Sequence, residues 1–82
     1  MSDSLGFALV GCGRIAQKYS QIFQDGELAG AHLVACCDPK SERAEALAAR
    51  NAIPHYADYH AMMAAQGDAI DVVCILSESG LH

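Results

Sequence analysis

Apolar positions along the chain fall into seven stretches, and their spacing alternates between two kinds. Leu5 to Val10 is an unbroken apolar run, short enough for a strand buried on both faces. From Arg14 to about Gln24 the spacing becomes helical: Ile15, Tyr19, Ile22 and Phe23 fall at i, i+4, i+7 and i+8, which predicts one apolar helix face. Asp25-Gly26 follows as a stop, since glycine most easily takes the left-handed turn that ends a helix. His32 to Cys37 is the second strand run and closes at Asp38-Pro39, where proline disfavours further pairing. Ser41 is positioned as an N-cap, with Glu42 suited to the positive end of the helix dipole. Ala44, Leu47 and Ala48 give that helix a narrow face for close packing on a sheet. Ile53 to Tyr56 is a short strand candidate. Asp58 is placed to cap a third helix with Tyr59, Met62 and Met63 as its buried stripe, the methionines reading as core filling. Asp71 to Leu76 is the last strand.

The order is β-α-β-α-β-α-β. Strands that are apolar throughout and alternate with helices imply a parallel sheet covered on both faces. Right-handed crossovers, with the fourth strand returning beside the first, predict the strand order 3-2-1-4. The fold class is therefore α/β, a partial Rossmann (doubly wound) sheet. Residues 1–82 read as one unit, without internal repeat or linker.

Composition narrows the picture. At 82 residues, 52% hydrophobic and 18% charged, the chain is suited to a packed fold and unlike a disordered one. Ten acidic residues against five basic ones, a formal net charge of -5, match nucleic acid or an anionic membrane poorly. No apolar run approaches the roughly 20 residues of a membrane span, and Met1-Ser2-Asp3-Ser4 lacks the positive start of a signal peptide. A cytoplasmic location is expected. The four cysteines, Cys12, Cys36, Cys37 and Cys74, have no metal-ligand spacing. Adjacent Cys36 and Cys37 point to opposite faces of a strand, and those in strands read as small buried hydrophobes. His32, His55 and His60 are scattered and receive no role. Glu42, Glu45 and Arg50 read as a solvated helix face.

The candidate chemistry begins at Gly11-Cys12-Gly13-Arg14-Ile15-Ala16, a G-x-G-x-x-A pattern that leaves a strand and opens a helix. Gly11 permits the tight turn, Gly13 lets a pyrophosphate approach the backbone, and Ala16 lets the helix pack closely on the sheet. Free N–H groups around Arg14 and Ile15 suit phosphate oxygens. Asp38 lies at the end of the second strand, where an acid accepts the hydroxyls of an adenosine ribose and repels a 2′-phosphate. That favours NAD over NADP, against which nearby Lys40 and Arg43 offer a cationic alternative. Its plainer role is that of a turn residue. After the last strand, Ser77, Ser79 and His82 lie where the strand order reverses, facing the nicotinamide half of a cofactor or else simply ending the chain.

These residues together resemble a family. Phe7-Ala-Leu-Val-Gly-Cys-Gly-Arg-Ile-Ala16, Cys37-Asp38 with Arg43-Ala44, Asp71-Val-Val-Cys-Ile-Leu76 and Ser79-Gly-Leu-His82 are similar to the amino-terminal half of Gfo/Idh/MocA-type oxidoreductases. The closing Ser79-Gly-Leu-His82 resembles the sugar-nucleotide branch, which includes enzymes that oxidise the 3-hydroxyl of UDP-N-acetylglucosaminuronate. The resemblance implies that Gly11, Gly13, Arg14 and Ile15 hold the pyrophosphate, Asp38 the adenosine ribose, and that Ser77, Ser79 and His82 approach the nicotinamide. One departure is Ser77-Glu78 where the family usually has Thr-Pro, which adds a charge and removes a rigid proline. Family members continue into a Glu-Lys-Pro motif and a substrate domain, neither of which these 82 residues contain. The expectation is a truncated cofactor-binding unit of a sugar or sugar-nucleotide dehydrogenase, inactive alone. Its last strand, an apolar edge, is expected to self-associate. Two other readings stay open: a non-catalytic module that binds NAD(H) or a partner chain, and an α/β fragment that binds nothing.

Overall fold

The structure, a computed structural model, describes residues 4–26 and 29–76. The elements are β1 (Leu5–Val10), α1 (Arg14–Gln24), β2 (Ala31–Cys37), α2 (Ser41–Asn51), β3 (His55–Tyr56), α3 (Tyr59–Gln66), a 3-10 turn at Gly67–Ala69, and β4 (Val72–Ile75). All pairings are parallel and the sheet order is β3-β2-β1-β4, as the alternation of elements required.

Two apolar layers cover the sheet. On one face Leu9, Cys12 and Cys36 pack against Ala16 of α1 and Ala44, Leu47 and Ala48 of α2. On the other, Ala8, Ala35 and Cys37 meet Met62 of α3. Neighbouring Ala8 and Leu9 are both wholly buried, one on each face, which explains the unbroken apolar run in β1. Cys36 and Cys37 divide between the faces in the same way, and all four cysteines are free. The β1–β2 register slips once: Phe7 pairs with Leu33 and Ala8 with Ala35, so Val34 is an extra residue. Val34 and Ala35 consequently pack on the same face.

Several local expectations need correction. In α1, Ile15 is 47% exposed and Tyr19 39% exposed, whereas Ala16 and Ser20 are wholly buried. The helix lies too close to the sheet for large side chains, so its small residues face inward and the larger ones, one position earlier, turn outward. Phe23 does turn in, its ring 5.4 Å from that of Phe7. Buried Ser20 is satisfied by the Asn51 amide, which donates to its Oγ at 2.7 Å and ties α1 to α2. Ser41 is the first residue of α2, not its cap; Lys40 occupies that position without a side-chain bond. Tyr59 is largely exposed and Met63 half-buried, which leaves Met62 as the buried residue of α3. Asp58 caps α3 as expected, accepting the Ala61 N–H at 2.7 Å. Strand β3 is reduced to His55–Tyr56, and β4 begins after Asp71.

Asp71 acts instead as a latch between β1 and the start of β4. Its carboxylate accepts the Gly6 N–H at 2.7 Å, and its own N–H donates to the Gly6 carbonyl at 2.7 Å. Gly6 must lack a side chain, because a Cβ there would overlap the Ala69 carbonyl oxygen and lie 2.8 Å from Val34 Cγ2. This close approach brings β4 alongside β1, and Leu76 N–H donates to Val10 O at 2.7 Å where the two strands end. The carboxyl ends of β1 and β4 thus lie side by side, with α1, which follows β1, and α3, which precedes β4, on opposite faces of the sheet.

Candidate functional site

The chain leaves β1 through a turn that Gly11 permits. Gly11 has φ of 99°, a conformation hostile to any residue with a Cβ. Its N–H donates to Cys37 O at 2.8 Å, which anchors the turn to the end of β2. Gly13 has φ -85° and ψ -151° and stands at the N-cap of α1, where it offers no side chain to the helix. The first bond within the helix runs from Gln17 N–H to Gly13 O at 3.2 Å. The N–H groups of Arg14, Ile15 and Ala16 come before it and have no carbonyl within α1 to meet. The first turn of α1 contains no acidic residue. An uncapped helix start of this kind, at the positive end of the dipole, suits an anion. Arg14 and Ile15 are exposed beside it.

Asp38 points into the same turn. Its Oδ2 accepts the Cys12 N–H at 2.7 Å and its Oδ1 accepts the Lys40 N–H at 2.8 Å. Its own N–H donates to Tyr56 O at 3.1 Å, so its backbone is held as firmly as its side chain. The residue is only 6% exposed. Each carboxylate oxygen has two lone pairs, so one bond to the protein leaves each an acceptor site for another hydroxyl.

Cys12 is buried beneath the turn, and its thiol donates to Cys37 O at 3.5 Å. That thiol is held well above the ordinary thiol range, first by its hydrogen bond with Cys36 and then by burial. Burial pushes the Cys37 thiol up to about 11. Both stay protonated near neutrality, so they serve packing and do not act as nucleophiles. Among the described residues no group of His, Cys, Asp and Glu could hold a metal ion. Nor does any buried side-chain nitrogen or oxygen there lack a hydrogen-bond partner.

Gly11, Gly13, Arg14 and Ile15 therefore lie at one junction, and Asp38 is drawn to it through Cys12. Ser77, Ser79 and His82 lie outside the described residues. The amide of Cys12 is the component that sequence reasoning overlooked. The middle position of G-x-G is left open by the pattern, so its residue type gave no signal, and beyond its buried side chain it contributes a backbone donor.

A parallel sheet in this order, with α1 and α2 on one face, α3 on the other and a glycine turn at the start of α1, is the Rossmann architecture. More narrowly, the chain belongs to the Gfo/Idh/MocA oxidoreductase family with its NAD-binding Rossmann fold, whose family model matches residues 5–82. Among solved structures, the chain is similar to the WlbA dehydrogenase of Chromobacterium violaceum in complex with NADH and UDP-GlcNAcA. The two are 34% identical with a TM-score of 0.82, over 100% of this chain and 23% of the other. The WlbA dehydrogenase of Bordetella pertussis, also in complex with NADH and UDP-GlcNAcA, is 35% identical with a TM-score of 0.74, over 96% of this chain and 23% of that one. A myo-inositol dehydrogenase of Corynebacterium glutamicum is 28% identical with a TM-score of 0.75, over 94% of this chain and 22% of its own. The chain thus spans less than a quarter of the length of these structures. Comparison with curated proteins gave no match. Among the described residues no helix is long and apolar enough to cross a membrane.

Proposed function

We propose that this chain is the NAD(H)-binding part of an oxidoreductase that acts on a hydroxyl of a sugar or sugar nucleotide. Gly11, Gly13, Arg14 and Ile15 hold the pyrophosphate, and Asp38 takes the adenosine ribose. Ser77, Ser79 and His82 approach the nicotinamide. The observation that carries the reading is the 2.7 Å bond from Cys12 N–H to Asp38, because it places the acid against the glycine turn. A carboxylate at that point accepts ribose hydroxyls and repels a 2′-phosphate, which favours NAD over NADP. The two WlbA structures, bound to NADH and UDP-GlcNAcA, support a sugar-nucleotide substrate.

Bound NAD supplies the hydride acceptor; this chain's share is to bind and orient it. Residues 1–82 form the cofactor-binding unit, and the substrate must be held by residues beyond them in near-attack geometry. These residues are accordingly inactive by themselves. Titration with NADH, followed by its fluorescence, tests the reading. Wild-type chain should bind NADH at least about tenfold more tightly than NADPH, and Gly13→Val should weaken NADH by about 100-fold, ~2.7 kcal/mol. Undiminished binding by Gly13→Val would refute the assignment.

The same chain is proposed to self-associate through β4. That strand pairs only with β1 among the described residues, and Ile75 on it is 71% exposed. A free strand edge with an apolar side chain favours pairing with a second copy. Sedimentation velocity should show concentration-dependent association that Ile75→Lys reduces. A single monomeric species at high concentration would contradict it.

A further inference from the structure

We infer that Asp38 is a positioning residue for the glycine turn, and that it shapes the pyrophosphate site whether or not a ribose is present. The inference rests on the NAD-binding reading above and adds a second task to the same carboxylate. Three bonds tie the turn to the end of β2. Gly11 N–H and the Cys12 thiol both reach Cys37 O, at 2.8 and 3.5 Å. Cys12 N–H reaches Asp38 Oδ2 at 2.7 Å. The first two end on a backbone carbonyl and survive any substitution of Asp38 that keeps the strand. The third alone ends on a side chain of that strand end, and it is a charge-assisted bond in a buried place.

The carboxylate is itself held before any ligand arrives. Oδ1 accepts Lys40 N–H at 2.8 Å, and Asp38 N–H is fastened to Tyr56 O at 3.1 Å. Asp38 is therefore a bracket between the start of α2 and the glycine turn. Without it, the Cys12 amide is left buried and unpaired, and the turn must shift to find water. The N–H groups of Arg14 and Ile15 follow directly from that turn, so their aim is lost with it. Adenosine recognition and pyrophosphate binding become one coupled unit in place of two independent contacts.

A ligand–protein double cycle on the full chain separates the two tasks. NADH and its 2′,3′-dideoxyadenosine analogue are titrated against wild type, Asp38→Ala and Asp38→Asn. If Asp38 positions the turn, Asp38→Ala weakens NADH by about 100-fold and still weakens the analogue by about 10-fold, the usual worth of one charge-assisted bond. Amide exchange in the ligand-free chain is the second readout. Asp38→Ala should speed exchange at Cys12 by about 10-fold while Leu9 and Cys37 keep their rates, whereas a general loss of stability would move all three together. Asp38→Asn keeps one carbonyl acceptor and should restore part of the Cys12 protection; it also serves if the alanine variant does not fold. Equal affinity of wild type and variant for the analogue, or an unchanged Cys12 amide, overturns the inference. Failure of wild type to bind NADH would sink the NAD reading, and the exchange rates would still decide whether Asp38 holds the turn.

Discussion

Replacing Gly6 by alanine tests whether the close approach of the β4 connection to β1 holds this sheet together. The added Cβ would overlap the Ala69 carbonyl oxygen and press on Val34 Cγ2 at 2.8 Å. The carbonyl is backbone, so it cannot yield by changing a rotamer, and the connection into β4 must move. Overpacking of a tight interior costs about 1–3 kcal/mol. The movement also strains the two 2.7 Å bonds between Gly6 and Asp71, one of them to a carboxylate and worth about 1.5–3 kcal/mol. A loss of about 4 kcal/mol is expected, set against roughly 4–12 kcal/mol of total stability for a chain of this size. Urea unfolding followed by far-UV circular dichroism would read it as a much lower midpoint with a similar slope. Gly67→Ala is the matched control: its Cβ would meet only Met63 Cε at 3.8 Å, and its backbone is helical at φ -54°. That variant should stay within about 1 kcal/mol of wild type or gain slightly from helix propensity. If Gly6→Ala stays within about 0.5 kcal/mol of wild type, well inside the ~1 kcal/mol lower limit for overpacking, the steric reasoning is wrong.

Other consequences can be checked in the same assay. Ala52 ends α2 in the left-handed region at φ 56°, so Ala52→Gly should relieve strain and raise stability by up to about 1 kcal/mol, seen as a higher melting temperature. The Cys37 thiol lies above its ordinary 9.0, at about 11, because burial disfavours its charged form. The folded chain thus keeps a proton that the unfolded chain releases, and stability should fall as pH rises from about 9 to 11. The Cys12 thiol, raised as well, adds to the decline, so Cys37→Ala should make it shallower without abolishing it, and an unchanged slope would show that Cys37 has no part in it.

Much of this protein was legible in one dimension. Strands buried on both faces leave unbroken apolar runs, and helices between them leave a different period, so the alternation and the order 3-2-1-4 follow from pattern and from the handedness of crossovers. The glycine turn was legible too, because φ of 99° at Gly11 is open to few other residues. Distance in space was not. How near α1 lies to the sheet decided that Ala16 and Ser20 face inward and that Ile15 and Tyr19 face out, although all four share a helical period. Residue type marks Asp38 as an acid at a strand end, but its bond to Cys12 joins positions far apart in the chain through a backbone amide that no side chain advertises. The latch between Gly6 and Asp71 was hidden for the same reason. Sequence determines local period and conformational permission; which donor meets which acceptor is settled only when the strands are laid side by side.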